Sequence, residues 1–343
     1  MKKRKFLIDG RFLASMSTGV DRYADRTLKE LDKICAGMNI SILVPSNAKV
    51  QPEYKNIKII HSHFSRFWTQ IVFAVNALVR RAVPVNLCNE VSVFAPKGIC
   101  ALHDVCYAED FDFFPEEEKQ WFLKIYERIK RHSLKIITVS HFSEERIHKL
   151  LGIPKEKIIV AGNGWQHFDE VMADDEIFKK YPDIRKGEYY FCMASANKNK
   201  NVAWVVENAK YNPDDQYVLG GKNLDVVYNL SEVKNIIFVG FLDDKSAKSL
   251  MKNCKAFLFP TYYEGFGIPP LEAESTGAEI IISDAASLPE IFGESAHYID
   301  PDKPHVNLEK VLEKKTESKE PVLKKYDWKN TAQKIYDVLM EIR

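Results

Sequence analysis

The chain has 343 residues, of which 45% are hydrophobic and 28% charged, with a formal net charge of +1. That length exceeds one ordinary hydrophobic core and points to two domains, while the near-zero charge excludes a global affinity for polyanions. No run of 18 apolar residues occurs, so no membrane-spanning helix is expected.

The opening MKKRKFLIDG has a basic start but only a three-residue apolar stretch, which reads as a first strand and not a signal peptide. Apolar runs of strand length follow at 40–44, 57–60, 98–102, 135–139 and 157–160. A second series lies at 188–193, 216–219, 236–239, 255–259, 279–283 and 296–299. Helical patterns fill 20–36, 65–82, 117–132, 141–151, 200–208, 244–252, 270–276 and 328–342. Alternation of this kind predicts an α/β protein with parallel sheets and crossover helices, and two such series predict two Rossmann-like domains. The expected divisions are 1–165, 166–325 and a terminal helix in 326–343, with the join in the polar stretch 165–185. Six cysteines (35, 88, 100, 106, 192, 254) form no C-x-x-C pair and lie mostly in apolar runs, which reads as free thiols in a reducing compartment.

The richest segment is 256–277, AFLFPTYYEGFGIPPLEAESTG. A strand-like run ends in an aromatic turn; then come Glu264, the flexible Gly265-Phe266-Gly267, and a helix that Pro269 and Pro270 open and that holds Glu272 in its first turn. Glycines let backbone N–H groups approach a ligand, and a helix N-terminus suits phosphate. The two carboxylates suit hydroxyl donors instead. Phosphate and many hydroxyls together describe a nucleotide-sugar. The plain alternative is a β–loop–α turn with a capping glutamate.

Glu264 and Glu272 with seven residues between them, in this Gly-Phe-Gly and Pro-x-Glu setting, resemble the Glu-x7-Glu motif of the family 4 retaining glycosyltransferases. The resemblance implies the GT-B fold: two Rossmann-like domains facing each other across an interdomain cleft, the first on the acceptor side, the second binding the nucleotide-sugar, and a last helix crossing back. Thr18-Gly19-Val20 before the helix at Arg22 and Tyr23 resembles the family's amino-terminal loop. There Gly19 is the donor contact and Asp21 stands where the family has a second glycine. His103-Asp104, at the carboxyl end of a predicted strand, resembles the family's His-Asp pair, with His103 near the transferred sugar. Lys200 matches the family's diphosphate lysine, and Lys198 is placed to supply a second positive charge. Val218-Leu219-Gly220-Gly221 and Val239-Gly240-Phe241-Leu242 are similar to segments flanking the nucleotide base, which assigns Gly240 and Phe241 to the donor. Asn163-Gly164 and Leu288-Pro289-Glu290 are similar to further family segments. Each of these also has a structural reading, as a turn or a strand end.

The resemblance implies a metal-independent hexosyltransferase-type enzyme with no cofactor. Its donor is a nucleotide-diphosphate sugar and its acceptor a glycan or lipid-linked sugar, with a role in surface polysaccharide assembly. The implied roles are His103 and Glu264 at the reacting sugar, Lys198 and Lys200 on the diphosphate, the N–H groups of Gly265, Phe266 and Gly267 beside them, and Glu272 on the ribose. Asp110-Phe111-Asp112 has the form of a metal-binding Asp-x-Asp, but it lies in an aromatic loop and reads as coincidence; no metal site and no nucleic-acid partner is expected. Segment 64–83 with Arg66, Arg80 and Arg81, and a helix over 124–135 with Lys124, Arg128, Lys130, Arg131 and Lys135, have the composition of helices that rest on an anionic membrane, or of core helices with solvated ends. The expected location is the cytoplasm, with peripheral contact at the inner membrane face. Two other readings stay open: an epimerase or phosphorylase on the same fold, and a non-catalytic nucleotide-sugar-binding protein. A nicotinamide dehydrogenase does not fit, since no G-x-G-x-x-G follows the first strand.

Overall fold

The computed structural model describes residues 4–15 and 18–342, so Met16 and Ser17 of the predicted loop 9–23 lie outside the described residues. The chain divides into two compact units. One comprises Met1–Phe111, Pro115–Asn163 and Asp327–Arg343; the other comprises Asp112–Phe114 and Gly164–Tyr326.

The first unit is a seven-stranded sheet in the order β3-β2-β1-β4-β5-β6-β7. Its strands are β1 Lys5–Asp9, β2 Asn39–Val44, β3 Lys58–His61, β4 Ala82–Asn86, β5 Gly98–Ala101, β6 Ser133–Thr138 and β7 Ile158–Val160. Every pairing is parallel. A parallel sheet is covered by helices on both faces, so its strands read as near-continuous apolar runs; Leu7, Ile8, Ile42, Ile99 and Ile137 are all buried. The terminal helix Trp328–Ile342 packs into this unit along Gly19–Ile34. Trp328, Ala332, Ile335, Val338 and Leu339 face inward, and Trp328 meets Tyr23 edge-on at 6.0 Å.

One strand was not expected. The pattern over 65–82 reads as a single helix, but the chain makes one π-helical turn at Trp68–Phe73, an α-helix at Ala74–Arg80, and then a left-handed residue, Arg81 with φ 51°, that throws it into β4. Pro84 hid this strand, since proline removes a ladder donor and argues against a central position. Here pairing to β5 begins only after it, at Val85, and Gly98 lies so close to the Pro84 carbonyl that a Cβ there would sit 2.2 Å from it. Lys135, expected on a helix, lies in β6, because the helix Glu116–His132 ends three residues earlier.

The second unit is a six-stranded parallel sheet in the order β10-β9-β8-β11-β12-β13. The strands are β8 Tyr189–Met193, β9 Gln216–Gly220, β10 Ile236–Gly240, β11 Ala256–Phe259, β12 Ile280–Ser283 and β13 His297–Ile299. The order reverses between β8 and β11, as it does between β1 and β4 in the first unit. At such a switch point the loops leaving the two neighbouring strands diverge and open a crevice at their carboxyl ends. The stretch 165–185, read as a polar join, contains two short helices, Gln166–Asp169 and Glu176–Lys180.

Candidate functional site

The motif residues of the second unit sit at its switch point. The loop leaving β8 carries Lys198 and Lys200, and the loop leaving β11, the adjacent strand, carries Glu264 to Gly267. Residues 198–200 form a single 3-10 turn, and left-handed Asn201 separates it from the helix Val202–Tyr211, so the lysines precede that helix instead of opening it. Asn201 is held by the carbonyls of Pro260 and Pro301, at 3.0 and 2.9 Å. The Asn199 carbonyl accepts from the Tyr262 N–H at 2.8 Å and from Thr261 Oγ1 at 2.6 Å. These bonds staple the two loops together.

The result is an ion pair between Lys200 and Glu264, with the Lys200 side chain 26% exposed and Glu264 15%. Thr261 Oγ1 also donates to Glu264 Oε1 at 3.2 Å, and Ser287 Oγ donates to the Glu264 carbonyl at 2.9 Å. A partly exposed pair of this kind is worth on the order of 1 kcal/mol or less. A multiply charged anion therefore has little to overcome in drawing the ammonium toward itself. Lys198 is bonded to the Asp112 carbonyl at 3.0 Å, with the Asp112 carboxylate 3.7 Å away. Asp112 of the predicted Asp-x-Asp thus meets this site through a lysine, and neighbouring Phe113 stacks on Tyr262 at 5.6 Å.

Gly267 caps the helix Ile268–Ser275 with φ 100°, and a Cβ there would press 2.7 Å from Leu288 Cδ2. This position requires glycine on both counts. The helix starts at Ile268, which places Glu272 in its second turn, not its first. Glu272 is 2% exposed and its Oε1 lies 2.7 Å from Nε2 of His167, itself 2% exposed. No spacing in the sequence signals this partner, 105 positions away. Pro269 and Pro270 carry no N–H, so the backbone donors at the helix start are those that precede them. Glu274, on the same helix, is buried with Oε1 accepting from Ser295 Oγ at 2.6 Å; burial pushes its carboxyl up to about 7. Leu288-Pro289-Glu290 forms a short helix, Leu288–Phe292, whose first residue is the one against Gly267.

Gly240 ends β10 with φ 71°, followed by Phe241, which is 70% exposed with the Lys222 ammonium 4.7 Å from its ring centre. Phe241, Val239 and Leu242 line a pocket of about 640 Å³ with Lys179 and Lys180.

In the first unit, His103 follows β5 and is buried. Its Nε2 lies 3.2 Å from the Leu87 carbonyl. A carbonyl only accepts, so Nε2 carries the proton and Nδ1 is left as the acceptor of a neutral ring. Burial lowers its pKa to about 4, and the Tyr23 ring stands edge-on at 4.7 Å. Gly19 is the first residue of its helix. Thr18 and Asp21 form a reciprocal capping box there, which accounts for Asp21 where a second glycine was the family pattern. At this unit's own switch point Asp9 ends β1, accepting from Trp68 Nε1 at 2.5 Å, Asn86 Nδ2 at 2.9 Å and the Arg11 N–H at 2.9 Å. Arg11 pairs with Glu90 beside it. The sequence reading missed this cluster because its members come from three separate segments.

Two Rossmann-like α/β units, each with its polar loops at the switch point of a parallel sheet, define the GT-B fold class. The fold matches solved structures over nearly the whole chain: Anabaena Alr3699/HepE in complex with UDP and glucose, with TM-score 0.72 and 15% identity over 98% of this chain and 99% of that one, and sucrose-phosphate synthase from Thermosynechococcus elongatus, with TM-score 0.72 and 12% identity over 99% of both. Residues 173–334 match the Glycosyl transferases group 1 model. Among curated relatives, the chain is 25% identical over 221 residues to the O-antigen chain mannosyltransferase B of Escherichia coli, covering 60% of this chain and 58% of that one. It is also 25% identical over 273 residues to the serotype-specific mannosyltransferase WbdA of Escherichia coli, covering 69% of this chain and 32% of that one. The chain thus spans less than two thirds of the length of both relatives.

Proposed function

We propose that this protein is a retaining glycosyltransferase that moves a hexose from a nucleotide-diphosphate donor to a glycan or lipid-linked acceptor during surface polysaccharide assembly. The observation that carries this reading is the meeting of Lys200 with Glu264 at the switch point of a group 1 domain, beside the Gly265–Gly267 loop. The relatives named as O-antigen and serotype-specific mannosyltransferases favour a polysaccharide pathway.

In this mechanism the donor diphosphate draws Lys200, with Lys198 in support, and the N–H groups of Gly265, Phe266 and Gly267 face the same oxygens. Preorganised donors of this kind stabilise the charge that develops on the leaving group. Glu264, released from its lysine, accepts from sugar hydroxyls. Glu272 serves the ribose through the carboxylate that His167 holds in place. Gly240 and Phe241 flank the base. His103, neutral near pH 7, accepts a sugar hydroxyl at Nδ1. The transition state is oxocarbenium-like, and the acceptor attacks from the face the leaving group vacates. The reaction uses no divalent ion, so chelation with EDTA leaves the rate unchanged.

Peripheral membrane contact is part of the same proposal. Phe64, Phe67, Ile71, Val75, Leu78 and Val79 are each more than half exposed and recur at helical spacing, with Arg66, Arg80 and Arg81 beside them. Apolar area flanked by cations is how an interfacial helix holds an anionic surface. Among the described residues no helix is long and apolar enough to cross a membrane.

The test is thermal stabilisation by UDP, GDP, dTDP, ADP and their common sugars, since a ligand that binds only the native state raises the melting temperature. One nucleotide class should stabilise the wild type and fail with Lys200→Gln. A folded protein that none of them stabilises, and that turns over none of the sugars with lipid-linked acceptors, refutes the assignment.

A further inference from the structure

A second charged site lies in the first unit, at the opposite edge of its sheet from His103. In a parallel sheet all strands begin at one edge. Lys97 directly precedes β5, Ser133 begins β6 and Lys157 directly precedes β7, three strands that are neighbours in that order. Lys130 and Arg131 reach the same edge from the last turn of Glu116–His132. These five residues line one pocket of about 410 Å³, together with Gly152, over which the Lys130 ammonium lies.

Two features separate this pocket from ordinary surface basicity. The first is charge balance. No carboxylate lines the pocket, and among the described residues the one carboxylate paired to these cations is Glu127, on Arg131. Cations at a helix C-terminus ordinarily offset its dipole, which accounts for Lys130 and Arg131. Lys97 and Lys157 come from strand leads, where that explanation does not reach. The C-termini of Glu116–His132 and of the helix His141–Leu151, which Gly152 caps, carry roughly half a negative charge each. Against the four cations, they and Glu127 leave an excess of about two positive charges. The second feature is Ser133. It is 4% exposed, and its Oγ is buried with no hydrogen-bond partner. A buried hydroxyl left unpaired carries a desolvation penalty that a ligand oxygen would relieve.

We propose that this pocket binds a phosphate group, with the lysines neutralising a dianion and Ser133 Oγ donating to one of its oxygens. A phosphate monoester carries a charge near −2 at neutral pH, which matches the excess. The phosphate arrives either on a soluble molecule or on a lipid headgroup. The edge continues through Arg80 and Arg81, which precede β4 at the end of the exposed apolar helix. This site is separate from the donor site and does not rest on the reading given for it.

The test titrates inorganic phosphate by calorimetry into the full chain, with the donor site disabled by Lys200→Gln in every protein compared. Flotation with phosphatidylcholine vesicles, with and without phosphatidic acid, whose headgroup is a phosphate monoester, runs beside it. The variants compared in that background are Lys97→Gln/Lys130→Gln/Lys157→Gln and Ser133→Ala. A soluble source gives binding heat in the Lys200→Gln chain that the added triple substitution removes. A lipid source gives flotation that requires phosphatidic acid and is lost in the triple variant, without heat from the free anion. Ser133→Ala changes no charge and removes only an unpaired hydroxyl, so it should fold as well as the wild type and weaken either binding mode by about tenfold, the usual effect of losing a hydrogen bond to a charged group. The site is refuted if neither probe binds, if binding survives in the triple variant, or if Ser133→Ala binds like its Lys200→Gln parent.

Discussion

Glu274 offers a sharp quantitative test of how the helix Ile268–Ser275 is built. It lies two residues beyond Glu272, is 1% exposed, and is held up to about 7 by burial, which outweighs the opposing pulls of Ser295 and Lys319. Its ordinary value is 4.5. A carboxyl whose folded pKa is raised favours folding while it is neutral. That contribution is fully present below about pH 4.5 and is lost as pH rises through about 7. At about 1.4 kcal/mol for each pH unit between the two values, the loss reaches roughly 3 kcal/mol. Glu274→Gln keeps an oxygen for Ser295 and cannot ionise. Its stability relative to wild type should therefore rise by roughly 3 kcal/mol between about pH 4.5 and about pH 8, steepest between the two pKa values. Urea denaturation of both proteins across that range, followed by tryptophan fluorescence, measures the difference directly. Glycosyl transfer should be unchanged, because Glu274 bonds to Ser295 and lies outside the donor loops. A stability difference that stays flat with pH would refute the claim that burial outweighs the Lys319 charge at this carboxyl.

Lys200→Gln and Glu264→Gln should each lower kcat/KM for glycosyl transfer by about 100-fold or more, the usual cost of one preorganised electrostatic partner. If the two act on one donor, the double variant should fall by much less than the product, which steady-state kinetics will decide. His103→Asn should lower kcat. The wild-type rate should show no inflection from this residue near pH 6.5, since its pKa of about 4 keeps the ring neutral from about pH 5 upward. Gly267→Ala should cost about 2–4 kcal/mol, because an alanine at φ 100° is strained and its Cβ would press on Leu288; the melting temperature and donor affinity should fall together. Phe67→Ser/Val75→Ser/Val79→Ser should reduce flotation with anionic vesicles while leaving the melting temperature within about one degree, since the three side chains are mostly exposed. Loss of folding in that variant would mean that the stripe belongs to the core.

The fold was legible because parallel strands buried on both faces leave apolar runs that no helix pattern imitates, as in Ala256–Phe259 and Ile280–Ser283. Strand β4 escaped because Pro84 is a breaker by type, and only the neighbouring register makes its missing N–H tolerable. The short helices Gln166–Asp169 and Leu288–Phe292 escaped because four or five residues carry too little period to read. At the site, what lies within one loop was readable: Glu264, the glycines and the following helix. What depends on two loops meeting was not. The Lys200–Glu264 pair, the His167–Glu272 pair and the Asp9 cluster join residues 64, 105 and up to 79 positions apart. Spacing along the chain carries no trace of such meetings.

The two helix N-termini named by the sequence motifs differ in a way that bears on where a diphosphate goes. At Gly19–Ile34 the first turn already contains an anion. Asp21 closes a capping box with Thr18, accepting from the Thr18 N–H at 3.1 Å, and it is 7% exposed. A phosphate brought to Gly19 would face that carboxylate across a few ångströms, where like charges repel by more than a helix dipole attracts. At Ile268–Ser275 the first turn holds no acidic residue, the cap is a glycine without a side chain, and Lys200 stands nearby on Glu264. Electrostatics therefore sorts the two loops. The second unit's loop suits the diphosphate. The first unit's loop, with Asp21 as an acceptor, suits hydroxyls. Asp21→Gly would restore the family pattern and remove the box. The expected result is a loss of helix stability of about 1 kcal/mol, as for other lost caps, with tighter binding of nucleoside diphosphate if Gly19 then gains a share of the phosphate. An unchanged nucleotide affinity in that variant would place the diphosphate wholly with the second unit.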